Sequence, residues 1–287
     1  MSDFVLFTDS GCDLDPALLA DWGVRSCALS FKFDGSETVY SNSDMDVDTF
    51  YARMRAGGVA KTSAVNSESF SEAFERVLQE GRDLLYLGFS SGLSATYNAG
   101  RVAAAELAEK YPERRVVAVD TLCASAGLGL IVKMAVDMKA AGATLQEIAD
   151  RVENVKKNVC HWVTVEDLVY LKRGGRISPA LAFVGNALGL KPMILVDEAG
   201  KLESVAKIRG RKKALAALAE KFGEAKDNTK GPLFIGHADC ETDARAVARM
   251  IEERYGVVAD HVGSIGPVIG AHAGPGTIVI CYIGNGR

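Results

Sequence analysis

The strongest constraint in this sequence is an alternation. Short apolar runs at residues 4–7, 84–89 and 116–119 each end in a polar turn, and apolar residues at helical spacing follow. An apolar run of that length bounded by turn residues reads as a buried strand. Strand, turn and helix repeated in that order argue a parallel sheet with helices on both faces. Parallel strands point the same way, so the turns after Phe7 and Phe89 gather at one edge. That edge is where open α/β sheets bind ligands.

The turn after Phe89 is the richest in hydroxyls. Ser90, Ser91, Ser94 and Thr96 lie just before the helix marked by Ala99, Val102, Ala103 and Leu107. Free N–H groups at a helix start, with hydroxyls beside them, suit an anion. Ser and Thr also cap helices for purely structural reasons, but one cap needs one hydroxyl. The surplus favours a binding loop. Thr8-Asp9-Ser10 with Asp13 forms a similar turn after the first strand, with Asp13 or Asp15 placed to cap a helix whose first turn holds Pro16. Residues 27–33 read as a further apolar run, and 44–48 open a helix with acids in its first turn. Lys61-Thr62-Ser63 reads as a third polar loop before a helix that buries Phe70, Phe74, Val77 and Leu78 and stops at Gly81. Thr144 and Glu147 have capping-box spacing.

The texture changes near Asn158. Residues 159–165 read as a strand, and residues 193–196 and 201–208 flank a Gly-containing turn as a hairpin. Residues 234–236 and 277–283 add further strands to a mixed sheet. The expected fold class is therefore α/β with two domains. Residues 1–157 make a three-layer α/β/α domain with a mainly parallel sheet. Residues 158–287 make a smaller α/β domain with a mixed sheet.

A chain of 287 residues that is 48% hydrophobic and 24% charged can build such cores. Its formal net charge of −4 gives no general affinity for nucleic acid. Cys12, Cys27, Cys123, Cys160, Cys240 and Cys281 form no C-x-x-C, and the four His have no metal-ligand spacing, so no metal or cofactor is expected. No signal peptide and no apolar run long enough to span a membrane is read, which points to the cytoplasm.

Three further stretches carry possible chemistry. Lys172-Arg173-Gly174-Gly175-Arg176 is a basic Gly turn without phosphate-loop spacing, read as a solvated turn or a partner-docking patch around Arg173 and Arg176. The helix expected over 180–190 is apolar nearly all round, which means a core helix or the wall of a tunnel for a chain-like ligand. Residues 266–277 hold four Gly and two Pro, and read as an irregular loop fixed around His272. His161, His237 and His261 read as structural. The basic run 207–213 reads as a solvated face with room for one inward Arg.

Together, Thr8-Asp9-Ser10, Lys61-Thr62-Ser63, the 90–97 turn, Tyr170-Leu171-Lys172-Arg173-Gly174-Gly175-Arg176, Lys191-Pro192 and the Gly-rich stretch around His272 resemble the DegV family of bacterial fatty-acid-binding proteins. The resemblance runs the length of the chain. It implies a long-chain fatty acid held between the two domains, with its carboxylate at Thr62 and Ser94 and with His272 in the same network. Arg209, or alternatively Arg211, is placed there as the basic residue. It also implies a binding protein without catalysis of its own, which presents the acid to a separate ATP-binding fatty acid kinase subunit for acyl phosphate formation. Docking is expected near Arg173 and Arg176. Two departures stand out: Ala64-Val65-Asn66 follows Ser63 where the family has Gln-Pro-Ser, and Ala95 replaces a Gly. Two alternatives remain at this stage. One is a lipid-directed serine hydrolase with Ser94 as nucleophile, His272 as base and Asp9 or Asp13 behind it, although G-x-S-x-G is absent. The other is the substrate subunit of a dihydroxyacetone-kinase-like phosphotransferase, which rests on fold analogy alone.

Overall fold

The computed structural model describes residues 3–177, 189–225 and 231–287. Strands β1 (Phe4–Asp9), β2 (Val24–Cys27), β6 (Asp83–Gly88) and β7 (Val116–Asp120) form a four-stranded sheet in the order β2-β1-β6-β7. All its pairings are parallel. Every residue of β1 and β6 is buried, as continuous apolar strands covered on both faces must be. Helices α3 (Ser67–Gln79) and α4 (Thr96–Lys110) pack on each other and on β6. The Tyr86 ring of β6 lies against Phe70 and Phe74 of α3 and Tyr97 of α4. Helix α1 is Pro16–Asp21, capped by Asp15 through its bond from the Ala17 N–H.

Helix α5 (Ala126–Ala140) has no solvent face over its first half. Every residue from Ala126 to Val132 is buried. The cause is its place in the fold: it packs on β1 and β6 and also on the second sheet. Helix α6 (Leu145–Val155) begins with the capping box of Thr144 and Glu147.

The apolar run 27–33 is not one element. Its start ends β2, and its remainder forms β3 (Ser30–Phe33) in a separate antiparallel sheet ordered β4-β3-β5. Here β4 is Tyr40–Ser41 and β5 is Ala60–Ser63. Lys61-Thr62-Ser63 is thus a strand and not a loop, with Thr62 opposite Phe31. Phe31 and Phe33 pack against Phe50 of α2 (Val47–Arg55), so burial of one aromatic face organises this small sheet.

The later part of the chain builds a six-stranded mixed sheet. Its strands are β8 (Val159–Thr164), β9 (Leu190–Val196), β10 (Leu202–Arg209), β11 (Phe234–His237), β12 (His261–Ser264) and β13 (Ile278–Ile283). The order is β10-β9-β8-β13-β11-β12, antiparallel except for the β11–β12 pair. Edge strand β10 is broken by an irregularity between Ser204 and Ala206 and carries Glu203, Lys207 and Arg209, features that discourage edge-to-edge pairing. Helices α7 (Val169–Arg173), α8 (Arg211–Ala225) and α9 (Glu241–Tyr255) belong to this part. The apolar helix expected over 180–190 falls mainly outside the described residues. Its last residue, Leu190, opens β9.

The stretch around His272 is helical. Residues Pro267–Ala273 form α10, with Gly266 extended before it and Gly274 at φ +82° after it. Pro at the first helical position needs no N–H partner there, and its ring presets the helical φ. The Gly and Pro residues punctuate a short helix at both ends instead of preventing one.

Candidate functional site

A cavity of about 230 Å³ lies between the two large sheets. A single water needs about 10–15 Å³ of such space, so the cavity has room for far more than one water. Its body is apolar, with Leu29 and Phe89 from one side and Val163, Val165, Ile194 and Val268 from the other. Thr62, Ser94, Arg176 and His272 line the same cavity.

Thr62 arrives on β5 and His272 on α10, and they meet: Thr62 Oγ1 lies 2.8 Å from His272 Nε2. Burial, with the Arg176 charge adding to it, pushes His272 down to about 4, so the imidazole is neutral at pH 7. Its Nδ1 is buried without a hydrogen bond and faces Gly174, where an added Cβ would collide with it. A buried orphan lone pair is more tolerable than a buried orphan N–H. That assigns the proton to Nε2, which then donates to Thr62 Oγ1. The Thr62 hydroxyl proton is then free to turn elsewhere in the cavity.

Ser94 serves two purposes. Its Oγ accepts from the Thr96 N–H at 3.2 Å, closing a local turn just before α4, and lies 2.9 Å from Thr96 Oγ1. The N-cap of α4 is Ala95, with no side-chain cap bond, so Ser94 supports the turn that precedes the helix and lines the cavity as well.

The cation at the cavity is Arg176. Its Nε donates to the Leu93 carbonyl at 3.2 Å and its Nη1 donates to the Gly174 carbonyl. Arg209 is exposed at the end of β10 opposite Leu190 and does not line the cavity. Arg211 is turned to Asp243 at 2.8 Å. The basic Gly turn is divided in role: Arg173 stays exposed while Arg176 faces inward. Gly175, at φ +67°, permits the reversal that swings Arg176 back. Those paired glycines were the available signal for an inward Arg.

His161 also lines the cavity, which its position on a strand did not reveal. Its Nε2 accepts from the Ala124 N–H at 3.3 Å, and its Nδ1–H donates to the Val159 carbonyl at 3.0 Å. Burial pushes it down to about 3. With both nitrogens engaged, it offers a ligand only ring carbon.

The two buried aspartates near the sheet edge have other duties. Asp9 accepts from Tyr86 Oη at 2.8 Å and from the Phe89 N–H at 2.9 Å, tying β1 to the start of the Ser94 loop. Asp13 accepts from Ser125 Oγ at 2.5 Å and from the Gly266 N–H at 2.9 Å, docking the entry to α10. Burial raises Asp9 to about 6 and Asp13 to about 7. Neither bonds to His272, and Ser94 bonds to Thr96 instead of His272. The hydrogen-bond chain of a Ser-His-Asp hydrolase is absent among the described residues. Also among them, no group of three His, Cys, Asp or Glu is placed to hold a metal ion, and no helix is long and apolar enough to cross a membrane.

Residues 3–285 match the family described as "Uncharacterised protein, DegV family COG1307". A DegV domain-containing protein of Clostridium perfringens is 42% identical over 287 residues, covering 99% of both chains. A protein of Thermotoga maritima named a fatty acid-binding protein is 33% identical, covering 95% of each chain. A solved structure from Thermus thermophilus, described as fatty acid binding of a DegV family protein, superposes with a TM-score of 0.86. It is 29% identical and covers 99% of this chain and 100% of that one. With an α/β fold of two large sheets and one small one, a largely apolar cavity and a family match over residues 3–285, this chain belongs to the DegV family.

Proposed function

We propose that this protein binds a long-chain fatty acid, with the tail in the apolar cavity and the carboxylate at Thr62, Ser94 and His272. Arg176 takes the place first expected of Arg209. The observation that carries this reading is the convergence of Thr62, Ser94, the neutral His272 imidazole and the Arg176 guanidinium on a largely apolar cavity. The fatty-acid-binding relatives at 33% and 29% identity support it.

The energetics divide the labour. Each buried CH₂ contributes about 0.8 kcal/mol, so a long tail supplies on the order of 10 kcal/mol before ordering costs. A hydrogen bond to a charged group adds roughly 1.5–3 kcal/mol. The tail sets affinity, and the head-group residues set orientation and prefer the ionised acid. Titration of delipidated protein with oleic acid, methyl oleate and oleyl alcohol tests this. The acid binds most tightly on this reading, and equal binding of all three removes it.

The same reading makes the chain a cytoplasmic substrate-presenting protein with no cofactor and no catalysis of its own, serving a separate ATP-binding fatty acid kinase subunit. Exposed Arg173 ends α7 three residues before Arg176, so a partner docked there would stand near the head-group end of the cavity. Incubation with oleate and ATP yields acyl phosphate only when a kinase subunit is added. Product formed by this chain alone would refute the division.

A further inference from the structure

Ser94 is held in place from the mixed sheet. The side chain of Ser90, fully buried, donates from Oγ to the Gly200 carbonyl at 2.7 Å. The same Oγ accepts from the Gly92 N–H at 3.2 Å. The Ser90 carbonyl accepts from the N–H groups of Leu93 at 3.1 Å and Ser94 at 3.2 Å. One residue thus fixes the backbone that carries Ser94, and its own side chain is fixed by the turn between β9 and β10.

That turn is rigid. The Asp197 carboxylate accepts from the N–H groups of Ala199 at 2.9 Å and Lys201 at 2.8 Å, and Gly200 sits at φ +73°. The two surfaces interlock at glycine. A Cβ on Gly92 would lie 2.5 Å from the Ala199 carbonyl oxygen, and one on Gly200 would run into Ser90 Oγ. The strands that leave the turn put Val196 and Leu202 on the cavity wall. The hairpin that walls the apolar cavity therefore also seats the loop of a head-group hydroxyl.

We propose that the β9–β10 turn is a positioning element for the ligand's head group: through Ser90 it sets Ser94 for a carboxylate. This rests on the fatty-acid reading above, which assigns Ser94 to the carboxylate. None of the turn residues from Asp197 to Lys201 lines the cavity, so the action of the turn is indirect.

The test compares oleic acid with methyl oleate, each displacing a fluorescent fatty acid from the delipidated full-length protein. Wild type and Ser94→Ala come first and test the underlying reading alone: the wild type prefers the acid, and Ser94→Ala loses much of that preference. A wild type without preference sinks that reading and this proposal with it. Given the preference, Ser90→Ala and Gly200→Ala are each expected to weaken acid binding about tenfold and to leave ester binding within about twofold. Equal loss of acid and ester marks a merely structural contact and overturns the proposal, as does full retention of the preference. Gly200→Ala leaves every residue of the Ser94 loop intact and decides the matter if circular dichroism shows Ser90→Ala unfolded.

Discussion

The imidazole of His272 and the hydroxyl of Thr62 meet at 2.8 Å across 210 residues of chain, and the pair joins the small three-stranded sheet to the helix entering β13. Neither residue is chemically unusual. Their value lies in a neutral imidazole that spends its one proton on Thr62 and so turns the Thr62 proton outward.

His272 stays neutral across the physiological range. Its folded-state value is depressed from 6.5 to about 4. The unfolded chain therefore binds more protons in that window, and this group's contribution to stability is lost as pH falls from about 6.5 towards 4. Nitrogen-15 NMR of the ring should show a single neutral tautomer protonated at Nε2, with no titration above about pH 5.

Arg176 and Arg209 separate cleanly. Arg176→Gln removes the cavity's guanidinium and should weaken oleate binding roughly tenfold or more, whereas Arg209→Gln, at an exposed site, should leave it unchanged. Isothermal titration of the two variants decides which Arg serves the head group.

Adjacent glycines should fail for different reasons. Gly174 has an ordinary backbone, but a Cβ there meets His272 Nδ1, so Gly174→Ala displaces the imidazole and should cost about 1–3 kcal/mol together with acid affinity. Gly175 has open space around it and φ +67°, so Gly175→Ala should cost about 1–2 kcal/mol from backbone strain. Denaturant melts and oleate titrations of both variants distinguish overlap at the imidazole from strain in the turn.

Asp13 opposes His272 in its pH dependence. Burial raises it from 3.8 to about 7, so its contribution to stability is greatest below about pH 4 and is lost as pH rises to about 7. The shift corresponds to on the order of 4 kcal/mol. Urea melts across that range should show Asp13→Asn gaining stability relative to wild type as pH rises. A constant difference between the two would mean that Asp13 does not titrate in that window.

Much of the fold was legible because period and composition speak directly of burial. The runs at β1 and β6 could only be strands covered on both faces, and Thr144 with Glu147 announced the start of α6. Thr62, Ser94 and His272 were singled out from the sequence, and they line one cavity. The failures share a cause: long-range contact overrode local texture. Lys61-Thr62-Ser63 looks like a loop until Phe31 pairs with it. The run from Cys27 to Phe33 is mostly apolar, interrupted by Ser30 and Lys32, yet two different sheets claim its ends. Residues 267–273 have poor helix composition, and Pro267 and Gly274 served as punctuation marks. The inward turn of Arg176 depends on a positive φ at Gly175, which residue identity permits but does not require.

Helix α5 lies between the parallel and the mixed sheets, and the buried cluster to which it belongs takes in Leu6 and Leu85 from one side and Val279 and Cys281 from the other. Neither half of the molecule can melt without stripping a shared wall from its neighbour. Heating should then give one sharp transition, and a ligand lodged beside that helix would raise the melting point of the whole protein rather than of one lobe.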